Sequence, residues 1–116
     1  MALLDELKEL KVNTDEAILR FMNNSSLYER MLLKLPPNIE KLEVLSFIEA
    51  GDYKTATENA HTIKGMVGNL SVTPLYTAYT EIVNLLRADK PNEAKALLVE
   101  TLPVQEEINS CIKKYM

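Results

Sequence analysis

With a single cysteine, Cys111, the chain cannot close an intrachain disulfide, and with a single histidine, His61, it is short of the ligands that most zinc sites need. Only three glycines and five prolines occur, and there is no low-complexity run, which argues against long disordered tracts. No apolar run approaches the roughly 20 residues of a membrane span. The opening Met1-Ala2-Leu3-Leu4-Asp5-Glu6 has neither the basic start nor the apolar core of a secretory signal, so a cytoplasmic protein without membrane contact is expected. A net charge of -4 argues against nucleic acid as a partner. A glycine-rich nucleotide phosphate loop is also missing, so no nucleotide-dependent enzyme is expected.

What remains is an ordinary globular composition. The 116 residues, 47% of them hydrophobic, suit one domain with one core over 1–116. Apolar residues recur at helical spacing throughout, and no segment alternates as a strand would. Leu3, Leu4, Leu7 and Leu10 predict a short helix over 2–11. Asn13 and Thr14 are cap candidates for a second helix reaching about Met22, with Ala17, Ile18, Phe21 and Met22 as its apolar residues. Ser26 with Glu29 has the form of a capping box for a third helix, which Pro36-Pro37 should stop. Asn38 is expected to cap a fourth helix over 38–50, ended by Gly51. Asp52 caps the next, over 52–70, whose buried stripe is Tyr53, Ala56, Ala60, Ile63, Val67 and Leu70. Thr73-Pro74 predicts the start of a helix using Leu75, Ala78, Tyr79, Ile82, Val83 and Leu86. Pro91 opens the last one, which Pro103 should kink or break before Val104, Ile108, Ile112 and Tyr115 resume the spacing; Cys111 falls on its inward side. Short connections favour antiparallel neighbours. The expected fold is all-α, an antiparallel four-helix bundle with short additional N-terminal helices and no heptad run to demand a dimer, hence a monomer.

The candidate site lies in Ala60-His61-Thr62-Ile63-Lys64-Gly65-Met66-Val67-Gly68-Asn69-Leu70. At 100° per residue, His61 points roughly 135° away from the centre of the buried stripe. Gly65 and Gly68 fall over the same outer sector, Lys54 about two turns earlier, and Lys64 at its edge. Each glycine inside a helix costs about 1 kcal/mol relative to alanine. Access is one reason to bear it, because a bare backbone lets another surface come close. A neutral imidazole nitrogen is a competent nucleophile toward phosphorus, and Lys64, one turn on, can stabilise an attached phosphoryl group.

This stretch, with Gly51-Asp52-Tyr53 before it, Thr73-Pro74-Leu75-Tyr76 after it, and the earlier Asp15-Glu16-Ala17-Ile18-Leu19-Arg20-Phe21 and Leu27-Tyr28, resembles the histidine-containing phosphotransfer (HPt) domains of bacterial two-component phosphorelays. The resemblance implies a four-helix bundle presenting a phosphorylatable histidine in mid-helix. His61 would accept a phosphoryl group from a receiver-domain aspartate and pass it to another response regulator, with Lys64 as electrostatic helper. Gly65 would keep the neighbourhood open, and Gly68 would widen it. Asn69 would be structural, near the helix end. Partners would be response-regulator receiver domains and a hybrid sensor histidine kinase. No cofactor would be intrinsic, and Mg2+ would come with the receiver. A free-standing relay protein is expected rather than a kinase-fused module. Many family members have glycine where this chain has Ser71. Ile18 and Met22, at the edge of their helix's apolar face, are expected to help make an apolar rim for the receiver near His61, and Lys54, Gly65 and Gly68 are the other expected docking residues.

Blander readings compete with each of these. A lone helical histidine is usually a surface polar residue, the glycines could serve helix packing or termination, and methionines at helical spacing are usually core. The alternative function is a phosphorylation-independent helical module that binds receiver or kinase domains. A metal-binding bundle has only one histidine and one cysteine to draw on.

Overall fold

Three helices of this chain start where a side chain catches the free amides of a first turn. The computed structural model describes residues 2–116, which form α1 (Ala2–Glu9), α2 (Thr14–Arg20), α3 (Ser25–Leu33), α4 (Leu35–Glu40), α5 (Leu45–Glu49), α6 (Tyr53–Asn69), α7 (Thr73–Arg87) and α8 (Pro91–Lys113). There is no strand among the described residues. Asn13, Asn24 and Asp52 cap α2, α3 and α6, their side-chain oxygens accepting the amides of Glu16, Leu27 and Thr55 at 3.2, 3.0 and 3.1 Å.

Several expected boundaries are corrected. Asn24, not Ser26, caps α3, because Met22 and Asn23 turn the chain through left-handed φ values of 57° and 64° and bring Asn24 to the cap position. α3 does end before Pro36 and Pro37, at Leu33 rather than at Leu35, but the prolines do not lie in a loop; they occupy the first turn of α4, where their missing amides would be unbonded in any case. The single helix expected over 38–50 is two, α4 and α5. Between them residues 41–44 leave the helix, bury Val44, and present the Glu43 carbonyl to Asn59 of α6 at 2.7 Å. Val72 rather than Thr73 is the N-cap of α7, and the Thr73 hydroxyl donates back to the Ser71 carbonyl. Pro103 does not break α8, which runs for 23 residues. It lies on an exposed face, where the carbonyl it leaves unbonded, that of Val99, can turn to water. Val104 and Tyr53, expected to face inward, are both 41% exposed.

Three-residue connections at 70–72 and 88–90 fold α6, α7 and α8 back on one another, and α7 packs along both neighbours. Ala56, Ala60, Ile63 and Val67 of α6 meet Leu75, Tyr79, Ile82, Val83 and Leu86 of α7 and Ala94, Leu98, Ile108 and Ile112 of α8 in one core. Each fully buried aliphatic side chain contributes about 1.5–3 kcal/mol relative to exposure. α3, α4 and α5 close the side left open by the long helices, and α1 lies against α8. Cys111 is buried on α8, and burial pushes its thiol pKa up, which keeps it protonated. No helix among the described residues is long and apolar enough to cross a membrane.

The C-terminal end of α6 is held from two sides. Tyr28 of α3, fully buried against Phe21 with ring centroids 5.6 Å apart, donates its hydroxyl to the Leu70 carbonyl at 2.7 Å. From the other side comes Arg20 of α2. Its Nη1 donates to the Gly68 and Asn69 carbonyls at 3.1 and 2.8 Å. A cation at a helix C-terminus meets both the unpaired carbonyls and the negative end of the helix dipole.

Candidate functional site

The buried stripe of α6 fixes what its other face can do. With Ala60 and Ile63 sealed in the core, His61 is carried to solvent on the opposite side. No hydrogen bond from another described residue restrains its ring. Lys64, one turn later, is half-buried and has no carboxylate within ion-pair distance among the described residues. Its charge is therefore not consumed inside the molecule. Lys54, in the first turn of α6, is exposed two turns before His61.

The two glycines differ. At Gly65 a Cβ would find nothing within 4 Å. No internal packing demands a glycine there, and the helix bears its cost of about 1 kcal/mol without an internal return. At Gly68 a Cβ would stand 2.8 Å from both Cδ1 and Cε1 of Tyr76, a ring that α7 lays directly on the α6 backbone. The expectation that Gly68 widens an open patch is corrected: Tyr76 covers it, and close helix–helix packing is its reason.

Lys64, Gly65 and Gly68 come together with Asn69, Tyr76 and Arg20 around a cleft of about 550 Å³. Its far wall is built on α2 and on the turn after α6. Ser71 there has φ 54°, the left-handed conformation that favours glycine. Its hydroxyl explains why serine serves. Ser71 Oγ accepts from Arg20 Nη1 at 2.9 Å and donates to Glu16 Oε1 at 2.8 Å. Arg20 Nη2 closes the ring by donating to the same Glu16 oxygen at 2.9 Å. The Ser71 hydrogen bond, then that of Arg20, hold the Glu16 carboxyl below its ordinary pKa.

Of the expected site residues, His61, Lys54, Ile18 and Met22 do not line this cleft. Ile18 is half-buried against the core, and Met22, 89% exposed, stands at the corner between α2 and α3 beside Leu19. Sequence reasoning missed Arg20, Glu16 and Tyr76. The first two carry a faint signal as an i,i+4 opposite-charge pair. Tyr76 carries another, as a large aromatic lying off the apolar stripe of its own helix. Among the described residues no three His, Cys, Asp or Glu side chains are grouped so as to hold a metal ion. The chain matches no family model, no curated protein and no solved structure.

Proposed function

We propose that this chain is a histidine phosphotransfer protein that relays a phosphoryl group between receiver domains of a two-component pathway, fed by a hybrid sensor kinase. The observation that carries the reading is the pairing of an exposed, unrestrained His61 with a mid-helix glycine one turn on whose Cβ position is open. A helix that gives up a side chain there, with no neighbour requiring it, is arranged for something that arrives from outside.

In the proposed step one ring nitrogen of neutral His61 attacks the phosphorus of an aspartyl phosphate on the partner. The P–N bond forms as the P–O bond to the carboxyl breaks, and the aspartate leaves as carboxylate. The ring proton stays on the other nitrogen, so no base from this chain is needed. The reverse reaction delivers the group to the next receiver. The unpaired Lys64 ammonium balances charge on the phosphoryl oxygens, and Mg2+ comes with the receiver. In this reading α6, α7, α8 and the α3–α4 segment are the four members of an antiparallel HPt-like bundle, α1 and α2 are additional, and the chain is a carrier rather than an enzyme.

Incubation with a panel of phosphorylated receiver domains tests the proposal. Wild-type protein should acquire an acid-labile phosphoryl mark, and His61→Gln should acquire none. An acid-stable mark, or no mark from any receiver, would overturn it in favour of a binding-only helical module.

A further inference from the structure

Tyr76 is an exposed aromatic that lines the same cleft as the open backbone at Gly65, and its placement is unusual for a side chain with no internal polar task. One face of the ring lies on the bare backbone at Gly68, where even a methyl group would collide with it. The residue is nevertheless 42% exposed, and its hydroxyl has no hydrogen-bond partner among the described residues. Gly68 lies seven residues after His61, so the two share nearly the same azimuth on α6, about 10 Å apart along its axis. Gly65 lies between them. Along one line the outer sector of α6 thus presents the imidazole, then open backbone, then a raised aromatic ring. The ring and the unpaired Lys64 line the same cleft.

We infer that Tyr76 is a docking residue: the raised wall against which a phosphorylated receiver domain seats when it lies across Gly65 to reach His61. This deepens the phosphocarrier reading and rests on it. The occupant is chosen by charge and shape together. An acyl phosphate dianion complements the unpaired Lys64, and the domain carrying it must cross Gly65, which brings its next contact onto Tyr76. An aromatic ring already held flat on a helix gives up little conformational freedom when a partner packs on its free face, which is why such residues anchor interfaces. Tyr76 is not placed to touch the reacting phosphorus; its effect is on seating and on choice of partner.

Gly68 allows a test in which the ring is displaced without being altered. Transfer from receiver domains phosphorylated with acetyl phosphate is measured for wild type, Tyr76→Ala, Tyr76→Phe, Gly68→Ala and the Gly68→Ala/Tyr76→Ala double variant. Labelling of His61 by phosphoramidate, a small donor that needs no docking, is measured on the same proteins. Tyr76→Ala and Gly68→Ala should each lower the efficiency of transfer from receivers about tenfold, through a raised KM. The double variant should be no worse than Tyr76→Ala alone, because the added methyl then meets no ring. Tyr76→Phe should transfer as wild type does, and phosphoramidate labelling should be unchanged throughout. Transfer efficiencies within twofold of wild type for Tyr76→Ala, additive losses in the double variant, or a parallel fall in phosphoramidate labelling would each overturn the docking role. If wild-type protein accepts nothing from any receiver, the phosphocarrier reading fails instead, and this inference falls with it.

Discussion

Gly65→Ala should make this protein more stable and less able to exchange phosphoryl groups. Gly65 lies well inside the 17-residue helix α6, with no positive φ to hold it to glycine. Alanine there recovers the helix propensity and reduces the freedom of the unfolded chain, a gain of about 0.4–1 kcal/mol. Nothing lies within 4 Å of the new methyl, so no steric term opposes the gain. For a chain of this size that raises the melting temperature by roughly 2–6 °C. The cost falls on the encounter. A methyl one turn from His61 holds the partner surface off the helix by a fraction of an ångström to an ångström, and a misplacement of about 1 Å can slow a group transfer about 100-fold. A loss of 10- to 100-fold in transfer from receivers is therefore expected, with phosphoramidate labelling of His61 retained. Thermal unfolding and single-turnover transfer measure the two halves separately. A more stable variant that transfers at the wild-type rate would remove access as the reason for this glycine. A less stable one would mean that the space above Gly65 is already in use within the fold.

Two further outcomes follow from the ring of contacts at the turn after α6 and from the C-terminal anchor. Ser71→Ala loses both hydroxyl bonds while keeping the left-handed backbone, and should cost about 1–3 kcal/mol; Ser71→Gly loses the same bonds but relieves about 1 kcal/mol of backbone strain, so urea denaturation should rank wild type above glycine and glycine above alanine, and the reverse order of the two variants would contradict the account. Glu6 of α1 accepts hydrogen bonds from Lys114 and Tyr115 beyond α8, which, in that order, hold its carboxyl below the ordinary value of 4.5. A carboxyl whose pKa is depressed in the folded state stabilises above its ordinary value and ceases to as pH falls through the lowered one. Protection of the α1 amides, taken relative to their intrinsic exchange rates, should fall selectively below about pH 4.5, and Glu6→Gln should show the lower protection already at pH 7; unchanged protection in that variant would detach α1 from this anchor.

Much of the helical content was legible because it rests on local rules. The stripe Ala56, Ala60, Ile63, Val67 and Leu70 is buried as its spacing requires, and Asp52 catches Thr55 as a cap residue should. The failures share a cause. Pro36-Pro37 do mark the end of α3, but they also open α4, whose first turn has no use for their amides, and at Pro103 an exposed face can water the freed carbonyl, so the helix runs on. The split between α4 and α5 is tertiary in origin: Asn59, on a different helix, holds the Glu43 carbonyl that a continuous helix would have kept for itself.

The exposure of His61 followed from periodicity, since burying Ala60 and Ile63 leaves it no inward direction. The surroundings of the site did not follow, because three similar-looking backbone positions answer to three different neighbours. Gly65 has none, Gly68 has the ring of Tyr76, and Ser71 holds a conformation suited to glycine through a hydroxyl shared by Arg20 and Glu16. In sequence these residues differ only by a methylene and a hydroxyl. What separates them is whether a part of the same chain already occupies the space above the backbone. Only where that space is empty does a helical glycine point to a visitor, so the contrast between Gly65 and Gly68, rather than the presence of two glycines, is what directs attention to the surface beside His61.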